Sequence, residues 1–188
     1  MNPTEPSTSR TLNVFLIRGL IAIAWATVFA VVADSLTVGA GVLLVAYPLI
    51  DVVASLIDAR TAHGSARQVL LTGAATSALA AIALGIAATG SVANVYAVFG
   101  VWAAVSGAAQ LITALRRRAQ LGLQVPMLAA GGVSVLLGVM FLIAAATTTP
   151  ELNRLAVYAA TGGIDFIVEA YLLLRRRRRP TPVPATQF

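Results

Sequence analysis

Cysteine is missing from this 188-residue chain, and so is lysine. Without cysteine there is no disulfide framework, no thiolate nucleophile and no Cys-ligated metal. Histidine occurs once, as His63, and a metal site would need several such ligands. A lone histidine in a loop also makes a poor pH sensor. No lysine or histidine base accompanies Ser106, so a serine nucleophile is not expected. Charged residues make up only 11%, against about 25% in a soluble domain. A water-facing surface cannot be built from so few. Aromatic residues are scarce too, at 6%. Trp25, Trp102 and Tyr96 fall at different depths of their segments and form no interfacial belt. No glycine-rich phosphate loop is present, and catalytic, cofactor and metal sites are all expected to be absent.

What fills the chain instead is apolar sequence. Hydrophobic residues account for 59%, gathered in six stretches at 12–33, 36–57, 68–88, 92–114, 124–146 and 152–174. A bilayer core of about 30 Å takes a helix of about 20 apolar residues, and a helix satisfies its own backbone hydrogen bonds in lipid. The expected fold is all-α, a polytopic membrane protein of six transmembrane helices. Its domain runs over 12–178, with a disordered N-terminus at 1–11 and a disordered tail at 179–188. The first apolar stretch is too long for a signal-peptide core and has no basic lead-in, so it reads as a retained helix.

Every basic residue is arginine, and their placement sets an orientation. Odd-to-even connections are very short: Ala33 to Ser35, Thr89 to Ser91 and Thr147 to Glu151. Even-to-odd connections read as longer and basic, from Asp58 to Arg67 and from Arg116 to Leu123. One side thus collects Arg10, Arg60, Arg67, Arg116 to Arg118 and Arg175 to Arg179; the other carries only Arg154. The positive-inside rule places both termini in the cytoplasm. The lysine-free, alanine-rich usage suggests a GC-rich bacterium, hence a bacterial inner membrane. The net charge of +6 lies at membrane edges, so anionic headgroups rather than nucleic acid are the expected partners. Arg116, Arg117, Arg118, Arg175, Arg176 and Arg177 read either as topology anchors or as a specific anionic-lipid or partner site. Pro180, Pro182 and Pro184 end the last helix.

The connections divide the chain into three hairpins, 12–57, 68–114 and 124–174, which align as repeats. Gly19 to Asp51, Gly73 to Ser106 and Gly132 to Asp165 cover nearly equal lengths. Each unit holds two spans, so all three share one orientation, and a pseudo-threefold bundle is expected. Small residues permit close approach of membrane helices. Gly19, Gly73, Ser77, Gly85, Gly132 and Gly138 are accordingly assigned to helix packing. So are Ala22, Ala26 and Ala30 on the first helix and Ala130 and Ser134 on the fifth. The same faces could serve a homo-oligomer or a membrane-protein partner.

The segment Phe15-Leu16-Ile17-Arg18-Gly19, with the short outer turn and Asp51 ahead of Arg60, resembles the HdeD-like acid-resistance membrane proteins. The likeness extends over residues 10–178. One departure is Val52 after Asp51, where that family usually has glycine; Gly107 keeps it in the second repeat. The resemblance implies a non-enzymatic role in acid or envelope stress tolerance.

Ionisable residues inside a membrane are functional candidates by default. Arg18, Asp51, Asp165 and Glu169 all lie roughly 8–14 Å from the arginine-rich ends of their helices, at 1.5 Å per residue. Repeat alignment makes Asp51, Ser106 and Asp165 equivalent, and likewise Ser55, Gln110 and Glu169. The expected site is an intramembrane polar cluster of Arg18, Asp51, Ser106, Gln110, Asp165 and Glu169. Three readings stay open. Arg18 pairs with a carboxylate and fixes helix register; the surplus carboxylates titrate; or the cluster is a polar cleft for a headgroup or partner. Arg18 could also snorkel to the interface. Pro48 kinks the second helix three residues before Asp51, for packing or to open a polar niche. At the level of function the alternatives are a scaffold or accessory subunit and a small transporter or channel. Six short helices with few polar residues leave little room for the last.

Overall fold

The computed structural model describes residues 5–121, 125–147 and 149–177, with side chains described over 12–116, 125–147 and 149–175. Six helices follow one another: α1 (Glu5–Val32), α2 (Val38–Ala59), α3 (Gly64–Ala87), α4 (Val92–Leu121), α5 (Val125–Thr147) and α6 (Leu155–Arg177). A short 3₁₀ turn, Leu152–Arg154, leads into α6. All six contain a stretch long and apolar enough to cross a membrane. Their outer faces carry large apolar side chains, among them Leu20, Val31, Leu79, Ile82, Ile86, Leu136 and Ile143. Much of what is buried is small, with alanine frequent. A water-soluble protein rarely exposes such continuous apolar surface, whereas a lipid-facing helix must.

Several boundaries differ from the sequence expectation. Residues 5–11 belong to α1 and are not an irregular N-terminal segment. Pro6 falls in the first turn, where its missing N–H is no loss. Only Arg60, Thr61, Ala62 and His63 lie between α2 and α3, so the long basic loop expected there is mostly helix. Gly64 allows this tight passage, taking φ of +59°, a region open to glycine at no steric cost. Arg116 to Arg118 likewise continue α4 instead of forming a loop. The side chains of Arg117, Arg118, Arg176 and Arg177 lie outside the described residues, as does the tail expected at 179–188.

The helices form a ring in which each touches its two neighbours in sequence and α6 returns to α1. Close and light contacts alternate around it. The closest pairs are α2 with α3, α4 with α5, and α1 with α6, while the partners within each expected hairpin touch lightly. The units are therefore hairpins by connection and not by packing. Glycines explain which faces close. A Cβ on Gly107 would lie 2.6 Å from the Gly131 carbonyl, and one on Gly138 2.7 Å from that of Gly100. These glycines recur at seven-residue spacing on both helices, two turns apart on one face. On the other side of the ring, Gly19 and Gly163 meet with a Cβ-to-carbonyl distance of 2.9 Å each way.

Inside the ring, toward the short-loop end, most of the few aromatic residues converge. Trp25 stacks on Phe29 at 4.5 Å, and Phe99 lies 5.4 Å from Trp102, 5.8 Å from Phe141 and 5.2 Å from Tyr158. Tyr47 joins them 4.5 Å from Trp25. Edge-to-face arrangements dominate around Phe99, the geometry aromatic quadrupoles favour. Pro48 is buried in α2, and in the turn before it Trp25 Nε1 donates to the Leu43 carbonyl at 2.8 Å, tying α1 to α2.

Candidate functional site

The other half of the ring, toward the arginine-rich end, holds a cavity of about 720 Å³. Its walls come from α1, α2, α4, α5 and α6, and Tyr47, Trp102 and Tyr158 line its inner end, adjoining the aromatic half. Arg18, Asp51, Ser106, Gln110, Asp165 and Glu169 all line this one space. The six positions come from four helices.

Arg18 is committed to two carboxylates on α2. Its Nη2 donates to Asp51 at 3.2 Å and its Nη1 to Asp58 at 3.0 Å. Asp51 and Asp58 are seven residues apart, two helical turns along one face, so a single guanidinium reaches both. The Phe166 ring lies beneath the guanidinium, 5.3 Å from centroid to Cζ, close enough for a cation–π contact. Arg18 is only 18% exposed and is held by these partners. The second Asp51 oxygen accepts from Ser77 at 2.8 Å, and Ser77 Oγ in turn accepts from Trp102 Nε1 at 3.1 Å. A continuous polar chain thus runs from Asp58 through Arg18, Asp51 and Ser77 to the aromatic floor. A second anchor lies on the far wall, where Ser134 bonds both the Ala103 carbonyl and the Tyr158 hydroxyl at 2.8 Å.

Asp165 and Glu169 are different. They lie one turn apart on α6 and face the cavity. Neither makes a hydrogen bond or ion pair to another side chain among the described residues. Ser106 lines the wall and Gln110 the exposed rim. No three His, Asp or Glu side chains among the described residues gather closely enough to share a metal ion.

The packing assignments divide. Gly19 and Gly138 lie at close helix approaches, and Gly85 is in ordinary contact with Val45 at 3.5 Å. Gly73 and Gly132 have nothing within 4 Å of a built Cβ, which corrects their assignment. In α5 the contact belongs to the neighbouring Gly131, one residue and about 100° around the helix. Ser77 is buried for its hydrogen bonds as well as its size. Ala22 and Ala26 are buried, whereas Ala30 is exposed. Arg116 and Arg175 are exposed at the ends of α4 and α6.

Sequence reasoning missed Asp58, read as loop, and the three aromatic residues of the floor. The seven-residue spacing from Asp51 was the available signal for Asp58. Nothing in the spacing of Tyr47, Trp102 and Tyr158 announces that they meet.

At the short-loop end the charges are sparse. Arg154 Nε donates to Glu151 at 2.9 Å, both exposed. The hydrogen bond and charge of Arg154 hold the Glu151 carboxyl below the usual carboxylate range. Tyr96 donates to the Glu151 backbone carbonyl, tying the turn before α6 to α4.

Fold and surface define the class: an all-helical chain whose six apolar spans fit a multi-pass integral membrane protein. Compared with known proteins, the chain matches no family model, no curated protein and no solved structure. The HdeD-like resemblance therefore stands on the residues quoted for it.

Proposed function

We propose that this is a multi-pass protein of a bacterial cytoplasmic membrane, termini inside, with a non-enzymatic, HdeD-like role in acid or envelope stress tolerance. The observation that carries this reading is the division of the carboxylates. Arg18 pairs with both Asp51 and Asp58, while Asp165 and Glu169 stand in the same cavity without a salt bridge. The groups facing them are Arg18 from α1, Tyr47 and Asp51 from α2, Ser106 and Gln110 from α4, Ser134 from α5 and Tyr158 from α6. Acidic groups outnumber the single cation in this space, and like charges one turn apart on a helix face repel each other. The arginine asymmetry supports the orientation, which opens the cavity toward the cytoplasm. The alternation of close and light helix contacts agrees with a threefold relation between the repeats.

The test is acid survival of a deletion strain complemented with wild type, Asp165→Asn/Glu169→Gln or Asp51→Asn. Wild type is expected to restore survival and the α6 pair variant to fail while reaching the membrane in normal amount. Normal survival of the deletion strain would remove the stress role.

A second reading, an accessory subunit that packs against another membrane protein, draws on Gly73 and Gly132. Both leave an open surface where a further helix can approach. Substituting them with leucine would then abolish a crosslinkable partner without unfolding the chain.

A further inference from the structure

We propose that the cavity binds an organic cation with an apolar body, its charge lying against Asp165 and Glu169 and its hydrophobic part on the Tyr47–Trp102–Tyr158 floor. Shape comes first. About 720 Å³ falls within the range of roughly 300–1,000 Å³ typical of small-molecule sites. Side chains such as Ile50, Val133, Leu137 and Leu172 make the walls apolar, and an inorganic ion would gain nothing from them.

Charge comes next. Arg18 is consumed by Asp51 and Asp58, so the remaining carboxylates give the space a negative surplus. A neutral or anionic guest would leave that surplus uncompensated in a medium of low dielectric. A cation compensates it, and aromatic faces attract cations further. No three acidic side chains among the described residues converge as a metal ligand set requires, which favours a diffuse organic charge.

The half-buried Tyr47 adds a polar group to the same wall: its hydroxyl lies near Gly162, at the cavity, and makes no hydrogen bond to another described residue, so it can bond a polar atom of a bound molecule. The site does not depend on the stress role, and it stands if the deletion strain survives acid.

The probe is tetraphenylphosphonium, measured by equilibrium dialysis against the full chain in lipid nanodiscs. Saturable binding of one probe per chain is expected. Triphenylphosphine oxide, of related shape but neutral, should bind at least roughly tenfold more weakly. Asp165→Asn/Glu169→Gln should reduce phosphonium affinity by a similar factor, and Asp34→Asn, at the opposite end, should leave it unchanged. Nanodiscs of phosphatidylglycerol alone and with added phosphatidylethanolamine separate two sources of the same chemistry. Equal affinity in both assigns the site to free cations; competition assigns it to a headgroup amine. Equal binding of the neutral probe by wild type overturns the proposal and needs no variant. Unchanged phosphonium affinity in a double variant that melts like wild type overturns it as well.

Discussion

The two halves of the ring solve the same problem in opposite ways. Toward the short loops, the space between helices is filled by rings: Phe29 and Phe99 are fully buried, and Trp25, Tyr96 and Trp102 nearly so. Toward the arginine-rich end the same helices leave a cavity and line it with carboxylates. A filled half gives rigidity, since buried aromatic side chains leave no alternative packing. An open half with unpaired charge is tolerable only where something other than protein compensates it. The contrast places the packed core in one half and the candidate site in the other.

The sharpest way to break this division is to disturb the helix pairs that support both halves. Gly107→Ala puts a Cβ 2.6 Å from the Gly131 carbonyl and 2.7 Å from the Val135 nitrogen. Both are backbone atoms, so the helices must part; a loss of about 3 kcal/mol is expected, at the upper end for overpacking. Gly132→Ala meets nothing within 4 Å and should leave the melting temperature in detergent unchanged or slightly raised, because alanine favours helix. Equal effects from the two would refute the packing described.

Next in size is the aromatic core. In a membrane the transfer of apolar surface contributes little, so Phe99→Ala is expected to lose mainly the cavity term, about 2 kcal/mol. The measurement is thermal or denaturant unfolding in the same detergent. A smaller loss than that from a cavity residue such as Val133→Ala would invert the assignment of the packed core to this half.

The carboxylates sharpen the comparison within the open half. Asp51→Asn removes one partner of Arg18 and weakens the Ser77 contact; because Asp51 is 40% exposed, the loss should be modest, about 1 kcal/mol. Asp165→Asn breaks no ion pair and should leave stability unchanged or raise it by relieving repulsion with Glu169. Matching losses at the two positions would show that Asp165 has a partner after all.

The smallest effect belongs to the Glu151–Arg154 pair, exposed on both sides. The Glu151 carboxyl is held below its ordinary range, so its contribution is present at neutral pH. It disappears as acid takes the pH down through that lowered value. Glu151→Gln should therefore differ from wild type slightly at pH 7 and not at all in strong acid, read as melting temperature at each pH.

The placement of apolar stretches along the sequence was enough to give six membrane-spanning helices. Lipid gives the backbone no hydrogen bonds, so length and hydropathy suffice to identify each span. Arg18, Asp51, Asp165 and Glu169 stood out for the same reason, since ionisable groups are rare at such depth. Repeat register aligned Ser106 and Gln110 with them, and all six line one cavity. What the sequence could not convey was pairing. Whether Gly131 or Gly132 faces α4 depends on rotation about a helix whose apolar faces all look alike to lipid. Whether Asp58 lies in a loop or beneath Arg18 depends on where α2 stops. The meeting of Tyr47, Phe99, Trp102 and Tyr158 depends on four helices at once. In a membrane no hydrophobic stripe marks the inner face, because the outside is as apolar as the inside. Only the close fit of small residues, decided in three dimensions, says which way each helix turns.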